Sequence, residues 1–511
     1  MSALTVPFLM PTVEEVVPDV TMLKDRLTGS SVVEERYTAT QVPSSGDQYT
    51  VGGSGTRLMI IRVANQNDYI DTSTMVLNFQ AIASGADKAN YALDDHIFSC
   101  VDTINVKVGG QTVEVLNNVG HLMNMLVQGS MPSQYYAKNG NFEGLYIYDK
   151  SPSGGVNGDA NVNASSLFPF TGGSQQLQKR WDIGNAWFNN GRYYSVPLTL
   201  LGLCRIPTLF AARNFQDLTI EILFRQSALG AVWVRNPSTY VGGTDVSVTI
   251  RDVTLTYDCC RMSADYYALM DNELKMPNGS GVSYPIDTYQ VQPASIAAGS
   301  ASAPTLTRIV VAKGTRFLKS VYGTTTLTAA ETSPLWRNNS SSGNYGFNSY
   351  QVVINSKRYP QLQIQSSAAA FQELQKAYNQ LGSVAAGSLI DWYNYLGLPY
   401  ARGNDTNTAL IDAVAPTTKD GTFLGILPAD EAMFQNGVNL EQFLTNQPDA
   451  GGINTSTSGY QIAIELGNFP VTYTGVGDST PIGTGGNLTH YVVLHFTRVL
   501  TLKAGAVEVL D

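Results

Sequence analysis

Four histidines, His96, His121, His490 and His495, are the first residues to weigh for catalysis or metal binding in this chain of 511 residues. The run Asp94-Asp95-His96 sets two carboxylates beside an imidazole, which are the donor types of a divalent-cation site. One imidazole with two adjacent acids is too small a ligand set to define such a site. It reads instead as a polar turn before a strand. His490 and His495 lie on one strand at an odd separation, so they face opposite sides and cannot share an ion. No HxH, HExxH, GxSxG or GxxxxGK[ST] pattern occurs. The glycine-rich runs GGSGTR (Gly52 to Arg57) and TGVGDS (Thr474 to Ser479) do not sit between a strand and a helix, so they read as turns.

Paired carboxylates for glycoside hydrolysis are the other chemistry to test. Glu221 in LTIEIL and Glu465 in IAIELG occupy matching places in two similar strands. Matching places in separate domains hold them far apart, each as an outward-facing strand residue. Cys100, Cys204, Cys259 and Cys260 form no CxxC pair, so neither a zinc site nor a disulfide framework is expected. Cys259 and Cys260 read as two thiols ending a strand. The expectation is a chain without catalytic, cofactor-binding or metal-ligating residues, and therefore not an enzyme. The 27 tyrosines and 5 tryptophans could line a sugar groove or serve subunit contacts.

The elements that would position these residues repeat. NVKVGGQTVE (Asn105 to Glu114) reads as strand, tight turn and strand, and a helix over NVGHLMNMLVQGSM follows it. QVVINSKRYP (Gln351 to Pro360) has the same form about 246 residues later, again followed by a helix. That second helix has Phe371, Leu374, Tyr378 and Leu381 on one face. Its hairpin places Lys357 and Arg358 on the exposed turn. At nearly the same offset LTIEIL falls on IAIELG and VTIRDVTLTY falls on VLHFTRVLTL. Four elements in one order at one spacing define an internal duplication.

The expected fold is all-β, two tandem eight-stranded jelly rolls with short helices and long loop inserts. Residues 1–45 read as an N-terminal arm. Residues 46–262 form the first jelly roll, with an insert at about 130–190. A helical linker covers 263–290, and the second jelly roll covers 291–511 with an insert at about 383–420. A single core does not grow to the full chain length, because cores stop near roughly 250–300 residues.

Only 14% of residues are charged, against about 25% in ordinary soluble proteins. Asn, Gln, Ser, Thr, Tyr and Gly replace the missing charges, giving a polar surface with little self-repulsion that suits packing against further copies. The net charge is −10, and no basic stripe is present, which argues against direct sequence-specific nucleic-acid binding. Pro7 and Pro11 interrupt the apolar start, and no cationic segment precedes it, so no signal peptide is expected. No window reaches the ~20 apolar residues that would span a bilayer.

Several stretches resemble the double jelly-roll major capsid proteins of icosahedral double-stranded DNA viruses, in particular those of nucleo-cytoplasmic large DNA viruses, virophages and polinton-like viruses. They are NQNDYIDTSTMVLNFQ (Asn65 to Gln80), DDHIFSCVDTINVKVGGQTVEVLNN, YQVVINSKRYPQLQIQ with Ile354, Tyr359 and Pro360, GGINTSTSGYQIAIEL, and the closing HFTRVLTLKAGAVEVLD. The resemblance implies a homotrimeric capsomer that joins neighbouring capsomers in an icosahedral shell around a dsDNA genome. It further implies minor capsid and penton partners, an internal membrane in some members, and assembly inside the host cell without secretion. It implies no cofactor and no catalytic residue. The alternative from the residues alone is a two-domain β-sandwich that binds or acts on carbohydrate.

Overall fold

The computed structural model describes residues 33–63, 67–85, 91–93, 96–131, 191–215, 217–234, 246–275, 282–296, 305–328, 342, 347–381, 388, 390, 395, 433–441, 452–456, 461–468, 488–503 and 506–510. Most of both expected inserts, Asp94, Asp95, the run 474–479 and most of the expected arm lie outside these residues.

The first half supplies β1 (Val33–Gln41), β2 (Gln48–Val51), β3 (Leu58–Val63), β4 (Tyr69–Ser84), β5 (Tyr91–Leu93), β6 (Val101–Val108), β7 (Gln111–Asn117), β8 (Arg192–Pro197), β9 (Leu218–Phe224), β10 (Val232–Val234) and β11 (Ser247–Met262). The second half supplies β12 (Val282–Ile296), β13 (Thr305–Val311), β14 (Phe317–Leu327), β15 (Phe347–Ile354), β16 (Lys357–Ile364), β17 (Gln435–Asn439), β18 (Ile462–Asn468), β19 (Leu488–Lys503) and β20 (Ala506–Leu510). Among the described residues three α-helices stand between them: α1 (Val119–Ser130), α2 (Ala264–Lys275) and α3 (Ser367–Ala377).

Each half folds around two main antiparallel sheets whose strand orders match, and the first half adds the two-stranded sheet β10-β5. β1-β11-β4-β8, with β2 also on β11, answers to β12-β19-β14-β17, with β20 also on β19. β3-β9-β6-β7 answers to β13-β18-β15-β16. This is the all-β double jelly roll expected from the duplication. The physical cause is the period-two pattern: β9 alternates buried and half-buried residues along its whole length, and Ile220 and Ile222 are fully enclosed. β11 and β19 are the long central strands of their sheets, each with 16 residues.

Both repeat hairpins use the same turn. Gly109 and Gly110 have φ of 56° and 78°, and Asn355 and Ser356 have 46° and 69°. Two successive positive φ values are the type I′ geometry that matches strand twist. Lys357 and Arg358 therefore do not occupy the turn, as expected from sequence, but open β16 beside it. Ser356 holds a left-handed conformation that costs a non-glycine residue ~1–2 kcal/mol. The S356G variant is expected to gain about 0.5–1 kcal/mol, read as a rise in the denaturant midpoint.

Three boundaries differ from the sequence reading. Residues 33–41 are not part of an arm but form β1, an edge strand paired with β11 from Val33↔Met262 to Gln41↔Leu255. The helical linker ends at Lys275, and 282–290 already belong to β12, which pairs with β19 along its length. Pro285 and Pro293 lie inside β12, which an edge strand tolerates because one side needs no N–H donor. Helix α3 stops at Ala377, because Asn379 turns left-handed with φ 54°. Leu381 consequently leaves the apolar face and is half exposed.

Candidate assembly seam

The residues weighed for chemistry are dispersed and buried. His96 caps the 3-10 helix Ile97–Cys100, its Nδ1 accepting from the Phe98 N–H at 3.0 Å. It is the polar turn before a strand that the sequence suggested, since that helix runs directly into β6. His490 shares a hydrogen bond with Thr325 Oγ1 at 2.8 Å, and His495 shares one with Ser320 Oγ at 3.2 Å. His121, on α1, stacks on Tyr491 with ring centroids 4.0 Å apart. Burial lowers the basicity of all four: His96 and His495 fall to about 3, His490 to about 4, and His121 well below the ordinary value. Among the described residues no cluster of three His, Cys, Asp or Glu is placed to hold a metal ion.

Glu221 is bound by Lys107 Nζ at 2.6 Å across β9 and β6. Glu465 stands opposite Arg308 and Gln351 in the other half. The two glutamates are on different sheets and do not converge. Cys259 and Cys260 are buried near the end of β11, and these two, Cys100 and Cys204 form no disulfide.

The polar chemistry concentrates instead where the two jelly rolls meet. Glu114 on β7 is fully buried. Both of its carboxylate oxygens accept from the Gly202 N–H at 3.0 Å, and Oε1 also accepts from Thr288 Oγ1 of β12 at 2.7 Å. Burial pushes its carboxyl up, against the pull of those donors. Arg205, at the end of the 3-10 helix Gly202–Arg205, donates to the Tyr289 hydroxyl at 3.1 Å and to the Asp287 carbonyl. From the other side Lys319 Nζ and Thr497 Oγ1 each approach Asp287 Oδ1 at 2.6 Å. Burial alone would raise the Asp287 carboxyl, but His495, Lys319 and Thr497 outweigh it and hold it below the usual range. Arg498 returns a bond to the first half, donating to the Val113 carbonyl at 2.7 Å.

Apolar groups fill the space around these bonds. Tyr284 of β12 enters the first half, where its hydroxyl accepts from the Ala211 N–H at 2.9 Å and its ring packs against Phe210 and Phe215. Gly202 lies so close that a Cβ there would overlap the Asp287 carbonyl. Further along, Tyr378 presses on Gly129 of α1, and its hydroxyl donates to Gln435 Oε1 at 2.7 Å. Gln435 in turn donates to the Met125 carbonyl at 3.2 Å. A cleft of about 170 Å³ opens along the seam between β7 and β12, with Lys313 and Arg498 among its lining residues. The geometry of the seam locks two barrels side by side.

Sequence reasoning missed every seam residue. Glu114 alone carried a signal: a carboxylate inside the alternating run TVEVL at a strand position between Val113 and Val115.

No protein-family model matches this sequence, and none of the curated protein sequences matches it. Solved structures do match over nearly the whole chain. A chain of the PBCV-1 virus capsid is 10% identical, with a TM-score of 0.52, covering 94% of this chain and 98% of that one. The Faustovirus major capsid protein is 8% identical, TM-score 0.52, covering 93% and 92%. The mavirus major capsid protein is 10% identical, TM-score 0.50, covering 94% and 92%. At such identities the likeness is one of fold, and that fold is the double jelly roll of major capsid proteins.

Proposed function

We propose that this chain, which carries the double jelly-roll fold of virus major capsid proteins, is itself a shell subunit and not an enzyme. The supporting observation is the pairing of two barrels with matching strand order through a buried, polar, interlocked seam. Two similar barrels per chain, taken three times about an axis, give a ring of six similar barrels. Such a ring has a three-fold symmetry with a nearly six-fold outline and can tile a hexagonal lattice. The proposed units are a first barrel whose strands run from 33 to 262 and a second from 282 to 510, bridged by α2.

In this reading the homotrimer contacts neighbouring capsomers, minor capsid proteins and penton proteins in an icosahedral virion. The shell encloses a dsDNA genome without sequence-specific contact, in some arrangements over an internal membrane. Assembly takes place inside the host cell. The duplication favours this reading over a carbohydrate-binding protein, because tandem sugar-binding domains do not require a locked mutual orientation. Purified protein is expected to run at about three times the 55.1 kDa chain mass in size-exclusion chromatography with light scattering. Negative-stain images are expected to show particles of hexagonal outline. A stable single chain at all concentrations would overturn the reading.

A further inference from the structure

Lysine is seldom enclosed in a folded protein without a partner, and Lys319 on β14 has only 6% of its side chain exposed. Its place in the strand is unusual as well. Leu318 stands opposite Phe496 and Ser320 opposite His495, so Lys319 is an extra residue, a bulge in the ladder of β14 with β19. Bulges re-aim a side chain and are over-represented beside reactive sites. Here the bulged residue reaches across the central strand β19, and its Nζ lies 2.6 Å from Asp287 Oδ1 on β12.

The surroundings fix both groups. Thr497 Oγ1 donates to the same carboxylate oxygen at 2.6 Å. His495, stacked on Tyr289 with ring centroids 4.7 Å apart, lies near enough to feel both charges. A second carboxyl stands close by. Glu441 follows Leu440, whose N–H donates to the Lys319 carbonyl at 2.8 Å. Burial chiefly raises the Glu441 carboxyl above its usual range, Lys319 pulls it down and Asp287 pushes it further up. An ion pair alone needs neither the bulge nor the second carboxyl.

We propose that Lys319 Nζ condenses with Asp287 Cγ to an isopeptide bond within the folded chain, with Glu441 relaying a proton. The ammonium first passes one proton to the Asp287 carboxylate, which leaves two neutral groups, the form that burial favours. The neutral amine is the nucleophile, and its lone pair forms the N–C bond to Cγ. Nζ then gives up a second proton through Glu441 to the hydroxyl oxygen on Cγ, the C–O bond breaks, and one water molecule leaves. Nothing is oxidised or reduced, and no co-reactant is consumed. Condensation in water is unfavourable between separate groups, but groups held in place act at effective molarities of ~10⁵–10⁸ M. The ion pair is the state before reaction, and the acid titration of Asp287 disappears once the bond forms. The bond closes a loop of 32 positions and ties β12 to β14 over β19. That hold matters for β12, an edge strand whose Pro285 and Pro293 donate no ladder bond. The inference is independent of the shell-subunit reading.

The test is peptide mapping by mass spectrometry of the full chain, digested under denaturing conditions after folding. The wild type is expected to yield a joined pair, one peptide carrying Asp287 and the other Lys319, lighter by one water than the two separate peptides. K319R keeps the charge but has no amine to acylate, and is expected to yield only the separate peptides. E441Q is expected to slow the joining by about 100-fold, read by sampling at intervals after refolding. Separate wild-type peptides at full mass overturn the proposal. A water loss confined to the Asp287 peptide also overturns it, because that is the mark of a cyclic imide. If K319R does not fold, the wild-type map decides alone. Joining in E441Q at the wild-type rate overturns the relay through Glu441.

Discussion

Lowering the pH from 7 to 5 is expected to cost this chain most of its stability. The sign follows from four histidines that fold in the neutral form. His96, His490 and His495 have native values near 3, 4 and 3, and His121 is also strongly depressed, each chiefly through burial. In the unfolded chain each titrates near 6.5. A depressed native value means stability that is present above pH 6.5 and is lost as pH falls toward the native value. At pH 5 His96, His490 and His495 each withdraw about 2 kcal/mol, about 6 kcal/mol together, and His121 adds a loss of the same sign. That is comparable with the ~5–15 kcal/mol of a typical domain. The buried Nε2 atoms of His96 and His495 find no partner among the described residues, so an added proton would have nothing there to bond.

Two carboxyls modify the profile without reversing it. Asp287, held below its usual range, adds a loss of the same sign at still lower pH. Glu114, raised by burial, has the opposite sign: its native form binds a proton more readily than the unfolded chain does, so acid favours it. One such group does not offset four histidines. Urea unfolding followed by tryptophan fluorescence between pH 7 and 5 checks the outcome, with a slope that steepens toward uptake of four protons per chain. A free energy that stays flat across this window would mean that the native histidines take up protons as readily as the unfolded ones.

The parts of this fold that show in the sequence are those whose pattern is local. β9 and β18 announce themselves through alternating Ile and Leu, and the two hairpins through a turn pair between β-branched runs. β17 gives no such signal. Its residues, QNGVN, are among the poorest strand formers, yet Gln435, Asn436 and Val438 are all buried. The strand is held by its surroundings: Gly437 lies under Leu374 and Ala377 of α3, its carbonyl accepts from the Tyr350 hydroxyl at 2.9 Å, and Gln435 reaches α1 in the other barrel. Its counterpart β8, RYYSVP, is legible because its own aromatic residues carry the pattern. β1 was missed for a different reason. An edge strand with one exposed face and the sequence VEERYTATQ shows little apolar periodicity. The seam was invisible because its bonds join residues such as Glu114 and Thr288, which are 174 positions apart.

Introducing a side chain at Gly202 is expected to separate the two barrels without unfolding either. Gly202 does not adopt a positive φ, so the requirement for glycine is one of space and not of backbone freedom. A Cβ there would overlap the backbone of Asp287 and press on the Ile286 side chain, and backbone cannot swing aside as a flexible side chain can. In G202V the overpacking costs ~1–3 kcal/mol. Moving β12 away also removes the Thr288 hydroxyl from the Glu114 carboxylate, which keeps the Gly202 N–H of its own barrel. A buried carboxylate that loses one of its donors adds about 1 kcal/mol. The sheets of each barrel do not include Gly202 and keep their own pairing. Calorimetry of G202V is therefore expected to show two unfolding transitions where the wild type shows one. One unshifted transition in G202V would show that the barrels are not coupled through this contact.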